Sequence, residues 1–246
     1  MSTSLPTGRA FRQRLIPILA LAVLAPAALA RGDSLPDPAD KSLSGAERVE
    51  ALIEQIKRQQ RQLRSLDARF VQIKHSSLLL EPEVARGTFC YQAPDLARWE
   101  FTEPNQTVMV IRDGEMLTWY RDLGTAERVR VDKHTAQIEQ YLSATNSIER
   151  LERYFTMATS FPEDGRPYQI ELTPRYSRVA KRLKKMTIWF DRERYVPVRL
   201  TYVEPDGDTT EFVFEQVQIN PDLPPERFDV TLPDDVEVRT VDLAGT

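Results

Sequence analysis

"ARWEFTEPNQTVMVIRDGEMLTWY", residues 97–120, places Trp99 and Phe101, then Met109 and Ile111, then Leu117 and Trp119 two residues apart, with Pro104 and Asp113-Gly114 between the runs. A period of two sends alternate side chains to one face of a strand. Asp-Gly supplies the positive φ that tight hairpin turns require. The stretch is therefore expected to form consecutive antiparallel strands with all six large apolar groups on one face. It holds no residue suited to bond-making chemistry.

The same pattern continues in both directions. Phe70 opens a strand that runs to about His75, and "GTFCY" follows with Phe89 and Tyr91. Asp164-Gly165 and Asp206-Gly207 mark further hairpins among "PYQIELT", "MTIWFD", "VPVRLTYVE" and "TTEFVFEQVQI". Ile170, Leu172, Ile188, Leu200, Phe212 and Phe214 join the first six, with Phe89 and Tyr91, on the apolar face. Arg98, Glu100, Arg112, Thr118, Gln169, Glu171, Arg199 and Thr201 fall on the other. A long meander with one greasy face tends to roll up and hide its edges. The fold class is thus α+β, mainly β, built on a curled antiparallel sheet.

Helical signals are few. Ser44-Gly45-Ala46-Glu47 is a capping box. Val49, Leu52, Ile53, Ile56 and Leu63 follow at helical spacing, which predicts one amphipathic helix over about 46–65. Residues 135–159 read as two short helices. Ile138, Tyr141 and Leu142 mark the first, and Ile148, Leu151 and Phe155 the apolar face of the second. These segments must cover the apolar sheet face, either as an ordinary core or as the roof of a cavity.

The N-terminus carries Arg9, Arg12 and Arg14, then "LIPILALAVLAPAALA" ending in Ala28-Leu29-Ala30. That is the pattern of a secretory signal peptide, with the cut expected after Ala30. Losing those three arginines takes the formal charge from −4 to −7, which gives no reason to expect nucleic-acid binding. The first mature residue is Arg31 and the single cysteine is Cys90. With that cut no lipid-modified N-terminus is expected, and a single cysteine cannot form an internal disulfide. Residues 31–43 are Pro-rich and polar and read as a flexible arm. Residues 44–246 read as one domain, expected to work as a monomer.

Catalytic patterns are missing. Nine glycines form no phosphate-binding or nucleophile-elbow motif. His75 and His134 lack metal-ligand neighbours, and Cys90 lacks histidine support. No enzyme activity, metal or cofactor is expected. Two features stand outside this frame. "RVAKRLKK", residues 178–185, is a basic cluster open to solvent, an acidic partner or anionic lipid. Leu78, Leu79 and Leu80 lie in a hairpin connection, either folded back over the sheet or turned out toward a membrane or docking partner.

Phe70-x-Gln72, Gly87-x-Phe89, "PDLARWEFTEP" from Pro94 to Pro104, and Asp113-Gly114-x-x-Leu117-x-x-Tyr120 together resemble the LolA family of periplasmic outer-membrane lipoprotein carriers. The tail "FDVTLPDDVEV" resembles that family's final strand. The resemblance implies an incomplete barrel with an α-helical lid over an apolar cavity. Its ligand-binding wall would be Phe89, Tyr91, Trp99, Phe101, Met109, Ile111, Leu117, Trp119, Ile170, Leu172, Ile188, Leu200, Phe212 and Phe214. Its lid would be Leu52, Ile56, Ile138, Leu142 and Leu151. It implies acylated lipoprotein or lipid cargo, an inner-membrane ABC-transporter complex as donor and an outer-membrane acceptor. A carrier of another lipid or glycolipid, or a lipid-sensing regulator of a membrane signalling protein, would use the same cavity. Many such carriers have an Arg just before the proline matching Pro94, where this chain has Ala93; Arg98, next to Trp99, should point outward and cannot replace it.

Overall fold

The computed structural model describes residues 35–130, 151 and 153–241. The leader, Ile138 and Leu142 lie outside the described residues. Helix α1 (Gly45–Gln62) starts at the expected capping box. The Glu47 N–H donates to Ser44 Oγ at 3.3 Å, and the Ser44 N–H to the Glu47 carboxylate at 2.7 Å. The helix stops three residues before the expected end. Asn220 supplies the reason: its side chain accepts the Arg64 N–H at 2.7 Å and donates to the Gln62 carbonyl at 3.1 Å. A residue more than 150 positions away thus satisfies one of the helix's open C-terminal carbonyls and turns the chain toward β1. Among the described residues, no helix is long and apolar enough to cross a membrane.

Among the described residues, twelve strands form one sheet: β1 (Ser65–His75), β2 (Glu83–Gln92), β3 (Leu96–Glu103), β4 (Thr107–Arg112), β5 (Glu115–Tyr120), β6 (Thr125–Arg130), β7 (Phe155–Ser160), β8 (Tyr168–Pro174), β9 (Lys185–Phe190), β10 (Pro197–Val203), β11 (Thr209–Ile219) and β12 (Glu237–Val241). Their spatial order is β12-β6-β5-β4-β3-β2-β1-β11-β10-β9-β8-β7. Two antiparallel meanders are joined where β1 pairs with β11, and β12 runs parallel to its neighbour β6. The curled sheet stays open between β12 and β7, so the barrel is incomplete. All three Asp-Gly pairs sit in strand connections, with Gly114, Gly165 and Gly207 at positive φ.

The register corrects one expected pairing of faces. Asp113 and Gly114 both have positive φ and form a two-residue turn, so Arg112 pairs Glu115. Met109 then lies opposite Thr118 and Ile111 opposite Met116, while Leu117 and Trp119 lie opposite Val110 and Val108. Directly opposed residues share a face. Leu117 and Trp119 are therefore on the convex face, and Met116 and Thr118 take the concave positions. Thr118, expected outside, is buried.

Two element boundaries also differ from expectation. Phe155, placed on a helix by its spacing, opens β7, where Phe155–Ser160 pairs with β8. The helix that precedes it ends at Tyr154. The tail read as a final strand is mostly a strap: a short 3₁₀ turn (Pro225–Phe228), then irregular chain to Glu237, where β12 begins. Three prolines between Pro221 and Pro225 and a fourth at Pro233 withhold the N–H groups a longer strand would need. The strap crosses the convex face. The Ser65 hydroxyl donates to the Pro221 carbonyl, Arg98 to the Asp229 carbonyl at 3.1 Å, and Arg112 pairs the Asp229 carboxylate at 2.6 Å. Leu223 and Phe228 bury Cys90 beneath it.

Candidate functional site

The concave face is built row by row from the register. One row runs Ala68–Phe89–Trp99–Met109–Thr118 through the first meander. A second runs Phe212–Leu200–Ile188–Ile170 through the other. Tyr91, Ile111 and Leu172 belong to parallel rows. Helix α1 lies over this surface: Leu52 and Ile56 are fully buried in the same cluster as Phe70, Trp99 and Phe212. Leu151 is half-buried at its margin. The structure thus unites twelve of the fourteen expected wall residues with three lid residues, and sends Leu117 and Trp119 to the other side.

The centre of this face is filled by the chain's own rings. Phe89 and Trp99 have centroids 4.3 Å apart, Phe70 and Trp99 5.1 Å, and Trp99 and Phe212 5.8 Å. Gly87 makes this packing possible. A Cβ there would run into the Glu100 carbonyl and stand 2.6 Å from the Phe70 ring. Its absence lets Phe70 lie across the strand and meet Phe101 edge-on at 5.0 Å. Phe70 was not among the expected wall residues, although it alternates in phase with Ala68.

The face opens toward one end. We call the end at which β1 finishes, at His75, the upper end. Phe101 and Phe214, which flank Phe70, and Gln72 above it are only half-buried. Trp99, Phe89 and Tyr91, lower down, are buried. Tyr202, in an upper row, has its phenol pushed up to about 12, chiefly by burial. Among the described residues, the buried polar side chains are Ser65, Thr118, Thr187 and Thr210, none of them charged. The face can hold hydrocarbon through dispersion and exclusion of water, and offers little to fix a polar ligand.

The convex side carries ion pairs around the apolar patch that the strap covers. Arg98 pairs Glu100 at 2.9 Å, which places it outside as its alternation with Trp99 requires. Ala93 is half-buried against the concave cluster, and its N–H donates to the Arg64 carbonyl at 2.8 Å. A cleft of about 190 Å³ opens near the lower end, lined by Pro162, Arg166, Pro167, Gln169, Trp189 and Arg199. Both of its arginines are engaged, Arg166 with Asp164 and Arg199 with Glu211, each at 2.7 Å. Among the described residues, no cluster of three or more metal-ligating side chains occurs. Burial raises the Cys90 thiol pKa against the nearby Arg227, so the group is held as a thiol under the strap.

Comparison with known proteins agrees with this geometry. An outer-membrane lipoprotein carrier protein of Pseudoalteromonas translucida is 25% identical over 182 residues, covering 72% of this chain and 81% of that one. An uncharacterized conserved protein of Thermus thermophilus superposes with a TM-score of 0.51 at 9% identity, covering 78% of this chain and 99% of that one. MucB superposes with a TM-score of 0.50 at 13% identity, and the match spans 76% of this chain and 64% of MucB. These two likenesses are of fold. The family described as outer membrane lipoprotein carrier protein LolA matches residues 61–231, and the chain belongs to that family.

Proposed function

We propose that the protein is a soluble periplasmic carrier that binds the acyl chains of lipoproteins on its concave face and moves them from inner to outer membrane. The observation that carries this reading is the graded concave face: an aromatic centre roofed by α1, with Phe101 and Phe214 left half-exposed at the upper end. A 16-carbon acyl chain in water costs on the order of 10 kcal/mol, so it cannot cross an aqueous space unaided. Seated against Phe101 and Phe214, with α1 lifting from Leu52 and Ile56, it would exchange water for ring and methyl surface. Walls without directional polar contacts let it leave again. An inner-membrane ABC-transporter complex would load the carrier and an outer-membrane acceptor would unload it. With Ala93 where the resemblance leads one to expect an arginine, no guanidinium from that position would latch α1, which rests on the sheet through Leu52 and Ile56. The test is mass spectrometry of lipid extracted from protein purified out of the periplasm of its own host. Co-purified acylated peptide is the expected result. Protein that carries no lipid and binds no fluorescent fatty-acid probe overturns the reading.

A further inference from the structure

The upper end of the sheet gathers features that the concave face does not use. Leu78 is 86% exposed and Leu80 fully so, at the tip of the β1–β2 hairpin. The tip is ordered: the Leu79 N–H donates to the Ser76 carbonyl at 3.1 Å, and the Ser77 N–H to the Asp208 carboxylate at 3.3 Å. Strand direction puts four other connections at this end: β3–β4, β5–β6 with exposed Leu123, β8–β9 with exposed Tyr176, and β10–β11 with Asp206 and Asp208. The β8–β9 connection also presents Arg178, Lys181, Arg182 and Lys184. All four are exposed and form no ion pair with a described residue, while Val179 and Leu183 between them are buried and hold the segment in place. Glu81 and Glu83 lie beside the leucines, so attraction and insertion are divided between the two connections.

We infer that the upper end is a membrane-docking rim: the basic β8–β9 connection meets anionic lipid headgroups, and Leu78 and Leu80 enter the bilayer's apolar edge. The two tip leucines offer on the order of 200 Å² of apolar surface, against about 800 Å² per partner in a stable protein interface. A bilayer needs no shape complementarity, and clustered cations suit its anionic headgroups. Docked this way, the opening beside Phe101 and Phe214 faces the membrane. The docking stands by itself; its use in passing cargo rests on the carrier reading.

The test is sedimentation of the purified protein with vesicles of phosphatidylethanolamine and phosphatidylglycerol. Leu78→Ser/Leu80→Ser is expected to lower binding at least about tenfold, and Arg178→Gln/Lys181→Gln/Lys184→Gln to lower it and flatten its salt dependence. An environment-sensitive dye on Leu80→Cys should brighten with vesicles and be quenched by spin-labelled lipid. The same dye on Glu193→Cys, at the lower end, should not respond. Equal responses at both positions, unchanged binding of the leucine variant, or leucine-dependent self-association without vesicles overturns the docking. Fatty-acid probe binding of the leucine variant without vesicles reads the carrier function separately and is expected to be unchanged.

Discussion

Gly87 shows how one missing atom organises the interior. Its φ is unexceptional; what it supplies is room for the Phe70 ring between β1 and β3. Gly87→Ala is expected to destabilise the protein by about 1–3 kcal/mol, because the Glu100 backbone cannot yield and Phe70 must leave its rotamer. A urea midpoint lowered at unchanged slope would show it. Glu47 is the second informative residue. Its hydrogen bonds with Ser44, side chain first and backbone second, lower its carboxyl pKa below the ordinary 4.5. A carboxylate favoured in the folded state adds stability above its unfolded pKa and loses it as pH falls through the folded one. The melting difference between wild type and Glu47→Gln should thus be full at neutral pH and close in acid. A difference that grows in acid would be inconsistent with the capping box.

At the scale of elements, the strap and the hairpin turns set the design. The strap covers the convex face with Phe228, which is buried against Cys90. Phe228→Ala is expected to cost about 3–5 kcal/mol and to speed modification of Cys90 by a disulfide reagent, since burial is what holds the thiol unreactive. Unchanged labelling would mean that Leu223 alone shields it. The Asp113-Gly114 turn decides more than the bend. With two residues in the loop, partners sum to an odd number, so concave residues are odd in β4 and even in β5. That parity was implicit in a turn readable from the sequence. Large side chains at Leu117 and Trp119 obscured it. Their convex sites are half-buried, and Arg121 stacks over Trp119 at 4.9 Å.

At the scale of the molecule, the two faces should separate by function. Phe101→Ser, at the half-exposed upper end, is expected to weaken fatty-acid probe binding at least about tenfold, while Trp119→Ala, on the convex face, leaves it unchanged. Equal losses in both would argue that the probe reports folding rather than a site. Twelve of the fourteen expected wall residues share the concave face because the period of two survives any curvature of the sheet. The packing of Phe70, Phe89, Trp99 and Phe212 into one knot was not legible, because it depends on β1 lying between β2 and β11.

The sequence by itself determined what is local: strands with one apolar face, Asp-Gly turns at strand connections, the capping box that starts α1, and motifs matching a family. These follow from side-chain period, backbone φ preference and hydrogen bonds within a few residues. Only the tertiary structure decided where α1 ends, which face Leu117 and Trp119 occupy, that the tail straps the convex side, and that basic and leucine-bearing connections lie at the same end of the sheet. Each of those depends on contacts between residues far apart in the chain, such as Asn220 with Gln62 and Asp229 with Arg112. Such contacts exist only once β1 and β11 have paired and fixed the register of the whole sheet.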